Sequence, residues 1–309
     1  MKETELIALI RKLNAREAPG LVEGIGDDCA ILRPRAGEDL LVTTDFLLEG
    51  VHFLRATHTG VDCGWKTLAR GLSDIAAMGG TPRYAFVSLA LAPWACGHWV
   101  RDYYRGMNEL ATRYGVAIAG GDLTKADRVL CDIIVIGDVK RGRALRRSGA
   151  RPGDRLYVTG ELGGSESGLR TRKGAALRRH VRPQPRIEEG KTIAARFHAT
   201  ACMDLSDGLA LDLYRLCVES KCGAELYGML PVFPGATLEQ ALSGGEDYEL
   251  LFAAPASAKV PERIGEVAVT EIGRCVKAKP GTMTFAGTAL PPGGWDPFRP
   301  RARRAQRVS

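Results

Sequence analysis

A chain of 309 residues is longer than the size at which a single core usually stops growing, so two domains are expected. With 45% hydrophobic and 26% charged residues, its composition is that of an ordinary soluble globular protein and excludes a disordered or fibrous chain. The net charge of +7 is partly local, because Arg299, Arg301, Arg303, Arg304 and Arg307 crowd the last eleven residues. That tail (299–309) reads either as an electrostatic contact with an acidic surface or as a frayed terminus, and the second reading is favoured.

Residues 3–14 carry Leu6, Leu9, Ile10 and Leu13 at helical spacing. After a Pro-Gly break, 29–32 and 39–44 are strand-like, with a turn between them. Trp65, Leu68, Leu72 and Ile75 form one apolar stripe over 62–78, and the Gly79-Gly80-Thr81-Pro82 run ends that helix. A strand is expected at 84–91 and a second long helix through Trp99, Tyr103, Met107, Leu110 and Tyr114. A strand at 116–119 then runs into a turn at Gly120-Gly121-Asp122, followed by a strand at 132–139. The Arg-, Gly- and Pro-rich stretch 140–154 reads as a domain junction, giving domains 1–140 and 141–309. Beyond it, strands at 156–159, 201–203 and 248–254 alternate with helices, including 187–197 and 208–219, and weaker elements fill the remainder. This alternation indicates α/β or α+β layers.

No run approaches the ~18 apolar residues that a membrane span needs. MKETELIALIRKL, at the start, lacks the apolar core of a signal peptide. Eight cysteines without a CxxC pair suggest buried, reduced thiols and a cytoplasmic protein, with neither a disulfide framework nor a zinc site. No nucleic-acid module is recognisable, so nucleic acid is not expected as a partner.

The chemistry lies in a series of acidic turns: GIGDD at 24–28, TTD at 43–45, LSD at 72–74, GGD at 120–122, DLSDG at 204–208 and SGGED at 243–247. A single such Asp is as readily a helix cap or an Asx-turn, and Asp207 is a plausible N-cap. Two details favour function for the group. Asp74 sits inside an apolar-striped helix with no capping role, and Asp27-Asp28 juxtaposes two charges. Converging carboxylates suit Mg²⁺, a hard cation usually shared with substrate phosphates. GxxxxGK[ST], GxGxxG and Gly-x-Ser-x-Gly are all missing, which disfavours a P-loop ATPase, a Rossmann dehydrogenase and an α/β-hydrolase.

Taken in order, GIGDDCAIL, TTDFLLEGVHF, LSDIAAMGGTP, GGDLT, RSGARPGD, MDLSDGL and SGGEDYELLF resemble the thiamine-monophosphate kinases over nearly the whole chain, from Gly24 to about Phe298. These belong to the aminoimidazole ribonucleotide synthetase-like superfamily. The resemblance implies a two-domain α/β (α+β) fold. Its N-terminal sheet pairs across a homodimer, its C-terminal domain is a layered α/β unit, and the active site lies in the cleft between the two. It further implies that Asp28, Thr44, Asp45, Asp74, Asp122, Asp204 and Asp207 hold Mg²⁺. Thr43, Gly121, Asp122, Arg147 and Ser206 would serve ATP, and Asp45, His52, Glu246 and Trp295 the thiamine monophosphate.

The implied reaction is in-line transfer of the γ-phosphoryl of ATP to a phosphate monoester. That acceptor is largely deprotonated near neutral pH, with its second pKa near ~6, so no general base or nucleophile is assigned. Rival readings are an aminoimidazole ribonucleotide synthetase-like enzyme and a non-catalytic nucleotide-binding protein. A selenophosphate synthetase or hydrogenase-maturation protein is disfavoured, since no cysteine precedes Cys29 and the chain ends Arg307-Val308-Ser309.

Overall fold

A computed structural model of the chain describes residues 3–14, 17–25 and 29–298. The first half contains α1 (Glu3–Leu13), β1 (Leu21–Glu23), β2 (Ile31–Leu32), β3 (Glu38–Leu48), α2 (Gly60–Ala77), β4 (Thr81–Leu91), α3 (His98–Tyr114), β5 (Ala117–Lys125) and β6 (Leu130–Lys140). Four of these strands form a sheet in the order β3-β6-β4-β5, with β4 and β5 parallel and the other pairs antiparallel. Side chains alternate across a pleated strand. Thus Leu41 and Leu47 of β3 turn inward and are buried, whereas Leu40, Val42 and Phe46 on the other face are exposed. The inner face is covered by α2 and α3. These helices pack backbone to backbone, because a side chain at Gly64 would lie 1.8 Å from the Tyr103 carbonyl and one at Gly106 would lie 1.9 Å from that of Val61.

The second half adds β7 (Arg155–Thr159), α4 (Gly164–Thr171), α5 (Gly174–Val181), α6 (Ile187–Arg196), β8 (Ala201–Asp204), α7 (Leu209–Glu219), β9 (Gly223–Leu226) and α8 (Leu238–Ser243). It ends with β10 (Leu250–Ala254), β11 (Arg263–Ile264), β12 (Val267–Val276), β13 (Met283–Phe285) and β14 (Thr288–Ala289). Its sheet runs β14-β13-β9-β12-β7-β10-β8, with β11 attached to β12. Both faces are apolar. Leu250, Phe252 and Ala254 of β10 join the core that contains α2, while Leu251 and Ala253 join a second core with Leu209, Leu213 and Leu216 of α7. Helix α2 is therefore packed between the two halves, which places its polar residues at their boundary.

Three sequence expectations need correction. Gly120-Gly121-Asp122 is not a turn but the middle of β5. Its glycines allow a close backbone approach instead, since a side chain at Gly121 would meet the Val87 carbonyl at 2.1 Å. Thr43-Thr44-Asp45 likewise lies within β3, which extends four residues past Thr44, to Leu48. Cys29 and Cys96 are exposed, although the other six thiols are buried, and all eight are free. No helix among the described residues is long and apolar enough to cross a membrane.

Candidate active site

Helix α2 opens with a capping box in which Thr59 and Asp62 satisfy each other's backbone N–H groups. From there Asp62, Lys66, Arg70 and Asp74 recur every four residues, which stacks them on one side of the helix. Each reaches a different segment. Asp62 accepts from Arg182 Nε at 2.6 Å. Lys66, fully buried, donates from Nζ to Glu246 Oε2 and to the His52 carbonyl, both at 2.9 Å. Arg70 donates to Asp45 Oδ1 at 2.5 Å and to Glu246 Oε1 at 3.2 Å. Asp74 Oδ2 accepts from Thr43 Oγ1 at 2.5 Å, and the neighbouring Ser73 Oγ donates to Asp204 Oδ2 at 2.7 Å.

The segment after α8 is fixed by its own acids. Glu246 is held by α2, as above. Asp247 accepts from the N–H groups of Gly163 and Ser165 at the start of α4, at 2.6 and 3.1 Å. Glu249, fully buried, takes Arg186 through both of its oxygens at 2.5 and 2.6 Å, and also pairs with Arg179. Glu246 and Tyr248 have φ of 65° and 52°, a left-handed conformation that non-glycine residues keep only where their surroundings impose it.

These charges set the protonation of the site. Burial opposes ionisation of Glu246, but the nearby Lys66, His180 and Arg70 hold its carboxyl down to about 2. Burial, aided by Arg70 at His52 and by Lys66 at the other two, lowers His52 to about 4, His58 to about 3 and His180 to about 4. All three imidazoles are therefore neutral at pH 7. His52 Nδ1 accepts from the Leu48 N–H at 3.0 Å, which leaves the proton on Nε2. At the other end burial raises both Asp74 and Asp204; proximity to Asp45 adds to the first and proximity to Asp74 to the second.

A cavity of about 870 Å³ is lined by Asp45, His52, Asp74, Asp204, Ser206, Asp207, Glu246 and Trp295. A second, of about 700 Å³, is lined by Thr43, Asp74, Arg147 and Asp204, so Asp74 and Asp204 stand between the two. The fold thus gathers most of the sequence candidates. Asp207 is not the N-cap of α7, a position held by Gly208. Its carboxylate pairs with Arg215 at 2.6 Å instead, and its carbonyl accepts from the Trp295 N–H at 2.8 Å.

Thr44, Gly121 and Asp122 stand apart. Thr44 is on the outer sheet face, exposed, and donates to Asp132 Oδ1 at 2.5 Å. Asp122 is exposed on β5, and its Oδ1 accepts from the Leu123 N–H at 2.9 Å. The register Phe46–Asp132–Ser88–Asp122 puts three strand spacings, about 14 Å, between β3 and Asp122. Asp28 lies outside the described residues, as does the 299–309 tail. Among the described residues no three His, Cys, Asp or Glu side chains come close enough to hold a metal ion by themselves. Sequence reasoning missed Lys66, Arg70, Ser73, His180 and Arg215. The four-residue spacing along α2 was a usable signal for the first two, whereas His180 has none in its local sequence.

Family models for the AIR synthase related protein match over residues 26–139 (N-terminal domain) and 151–285 (C-terminal domain). The chain is 37% identical over 297 residues to the thiamine-monophosphate kinase of Rhodopirellula baltica, covering 89% of each. The crystal structure of thiamine-monophosphate kinase from Stenotrophomonas maltophilia superposes with a TM-score of 0.81 at 34% identity, covering 94% of this chain and 98% of that one. The structure of AaThiL complexed with AMPPCP and TMP superposes with a TM-score of 0.78 at 32% identity, covering 96% and 97%. The chain belongs to the thiamine-monophosphate kinase family.

Proposed function

We propose that this protein phosphorylates thiamine monophosphate to the diphosphate with ATP, in the cavity that runs between its two halves. The observation that carries this reading is that two cavities adjoin at Asp74 and Asp204 and together make one cleft with two unlike ends. At one end an ionised Glu246, a neutral His52 and Trp295 face the space. At the other, Asp74 and Asp204 border Thr43 and Arg147. An aromatic face, a carboxylate and an imidazole donor suit a cationic, hydrogen-bonding heterocycle. Carboxylates beside an arginine suit polyphosphate with divalent cations.

The donor set fits Mg²⁺. Asp45, Asp74 and Asp204 offer hard oxygens, and the partly buried Asp74 and the buried Asp204 resist ionisation in the absence of a compensating cation. Mg²⁺ normally keeps several waters and shares substrate phosphates, so three converging side chains are not required. When bound, the ions neutralise charge on donor and acceptor phosphates. The chain's own residues do the rest. Arg147 and Ser206 orient the nucleotide phosphates, and Glu246, His52 and Trp295 hold the acceptor so that its phosphate points toward Asp74 and Asp204. Catalysis is positioning and electrostatic stabilisation, without a protein nucleophile.

Thr44 and Asp122 enter this scheme through a second copy. The exposed outer face of β3, with Leu40, Val42 and Phe46, is an apolar surface suited to pairing. Closing two such sheets on each other sets the β5 edge of one copy beside the β3 edge of the other. Asp122 and Gly121 then approach the Thr44 and Asp45 of the other copy. Free, mostly buried thiols suit the reducing cytoplasm.

The test is a product assay with purified protein, MgATP and thiamine monophosphate, resolved by chromatography. Mg²⁺-dependent thiamine diphosphate is expected, lost in Asp74→Asn. ATP binding without product would refute the assignment and favour a related ATP-dependent enzyme.

A further inference from the structure

Two residues that face the acceptor end of the cavity come from distant parts of the chain. His52 sits in the turn after β3, and Glu246 in the segment after α8, 194 positions later. Both are fastened to one atom: Nζ of Lys66 lies 2.9 Å from the His52 carbonyl and 2.9 Å from Glu246 Oε2. That side chain is fully buried, yet it is a lysine, which is costly to bury unless its partners hold it well. An apolar residue would fill the same place in α2 at lower cost, so packing alone does not account for it.

We infer that Lys66 is the positioning residue of the acceptor end, fixing the His52 turn of the N-terminal half and the Glu246 segment of the C-terminal half in one geometry for recognition of the thiamine moiety. The inference rests on the activity proposed above and concerns a residue that does not itself line the cavity. Three features support it. Glu246 has φ of 65°, so its backbone needs an external hold. Its Oε1 is taken by Arg70, so Lys66 and Arg70, one helical turn apart, grip both carboxylate oxygens and set the plane of the group. His52 is fixed three times, by its carbonyl on Lys66, by its N–H on the Leu48 carbonyl and by its Nδ1 on the Leu48 N–H, which leaves its Nε2–H as the donor for a ligand.

The test is steady-state kinetics of Lys66→Met, varying thiamine monophosphate and MgATP separately. The KM for thiamine monophosphate is expected to rise by roughly 10- to 100-fold, the usual cost of losing a charge-assisted hydrogen bond. The KM for ATP should stay within about twofold. Equal losses for both substrates, or none, would overturn the inference by reducing Lys66 to a structural role. Lys66→Met combined with Glu246→Gln removes both charges of the pair and gives a second, better-folding background. Because Lys66 acts partly through Glu246 and partly through the His52 carbonyl, adding Lys66→Met to Glu246→Gln should raise the acceptor KM by less than Lys66→Met does alone. Fully additive losses contradict it. A wild-type protein that forms no thiamine diphosphate would instead remove the activity on which the inference stands.

Discussion

The two ends of the cavity are built in opposite ways. At the acceptor end the buried and half-buried acids have partners within the chain: Glu246 faces Lys66 and Arg70, and Glu249 faces Arg179 and Arg186. At the phosphate end the half-buried Asp74 and the buried Asp204 have, among the described residues, hydroxyl donors as their hydrogen-bond partners, Thr43 and Ser73. The first end is preformed, and the second is left with negative charge for a ligand to neutralise. The difference separates groups that the fold satisfies from groups that it holds in a costly state for function.

The largest effect should come from Asp74→Asn. Loss of a charge at the phosphate end is expected to lower kcat by roughly 10²–10³, read in the product assay. Stability without Mg²⁺ should be unchanged or higher. Burial and Asp45 raise the Asp74 pKa, so its contribution is fully present below the unfolded value and is lost as pH rises through the folded one. Asparagine avoids that loss at pH 7.

Glu246→Gln should do the reverse and weaken the fold. It leaves Lys66 buried without its carboxylate, at a cost of about 3 kcal/mol or more in urea unfolding. If both variants change stability alike, the contrast between the two ends is lost.

Acid should also act on the acceptor end. His52, His58 and His180 have folded pKa values of about 4, 3 and 4, below the ordinary 6.5. The unfolded chain therefore binds more protons across this window, and stability falls as pH drops from about 6.5 toward 4. A His180→Gln variant should flatten the fall by up to roughly 3 kcal/mol; an unchanged slope would place these rings elsewhere. Thr44→Val should have the smallest effect on stability, within about 0.5 kcal/mol. Its activity should fall in parallel with that of Asp122→Asn if the two residues meet across copies.

How much of this was legible in the sequence follows from the range over which each signal acts. The helices α2 and α3 and the strands β4, β6 and β8 were readable because their apolar residues recur at helical or strand spacing within a few turns. The glycines of β5 were misread because Gly-Gly-Asp signals a turn locally, whereas their reason is the neighbouring strand β4, whose Phe86 ring crowds Gly120 and whose Val87 backbone crowds Gly121. The strand β12 passed unseen because Glu271, Gly273 and Arg274 break its apolar pattern. Asp45, Asp74, Asp204 and Glu246 were legible as candidates through their motifs. Lys66 carried only the four-residue spacing along α2, since Glu246, its carboxylate partner, lies 180 positions away, and His180, 66 positions from Glu246, carried no local signal. Nor does the motif order reveal that Thr44 faces away from Asp45; only the alternation of β3, once its full length is known, does so.

The most direct measurement is a crystal structure of this protein with Mg²⁺, a non-hydrolysable ATP analogue and thiamine monophosphate. The account predicts the thiamine rings against Glu246, His52 and Trp295, with the two phosphate chains meeting beside Asp74 and Asp204. Thiamine rings in the Thr43–Arg147 cavity, or phosphates lodged at Lys66 and Arg70, would contradict it.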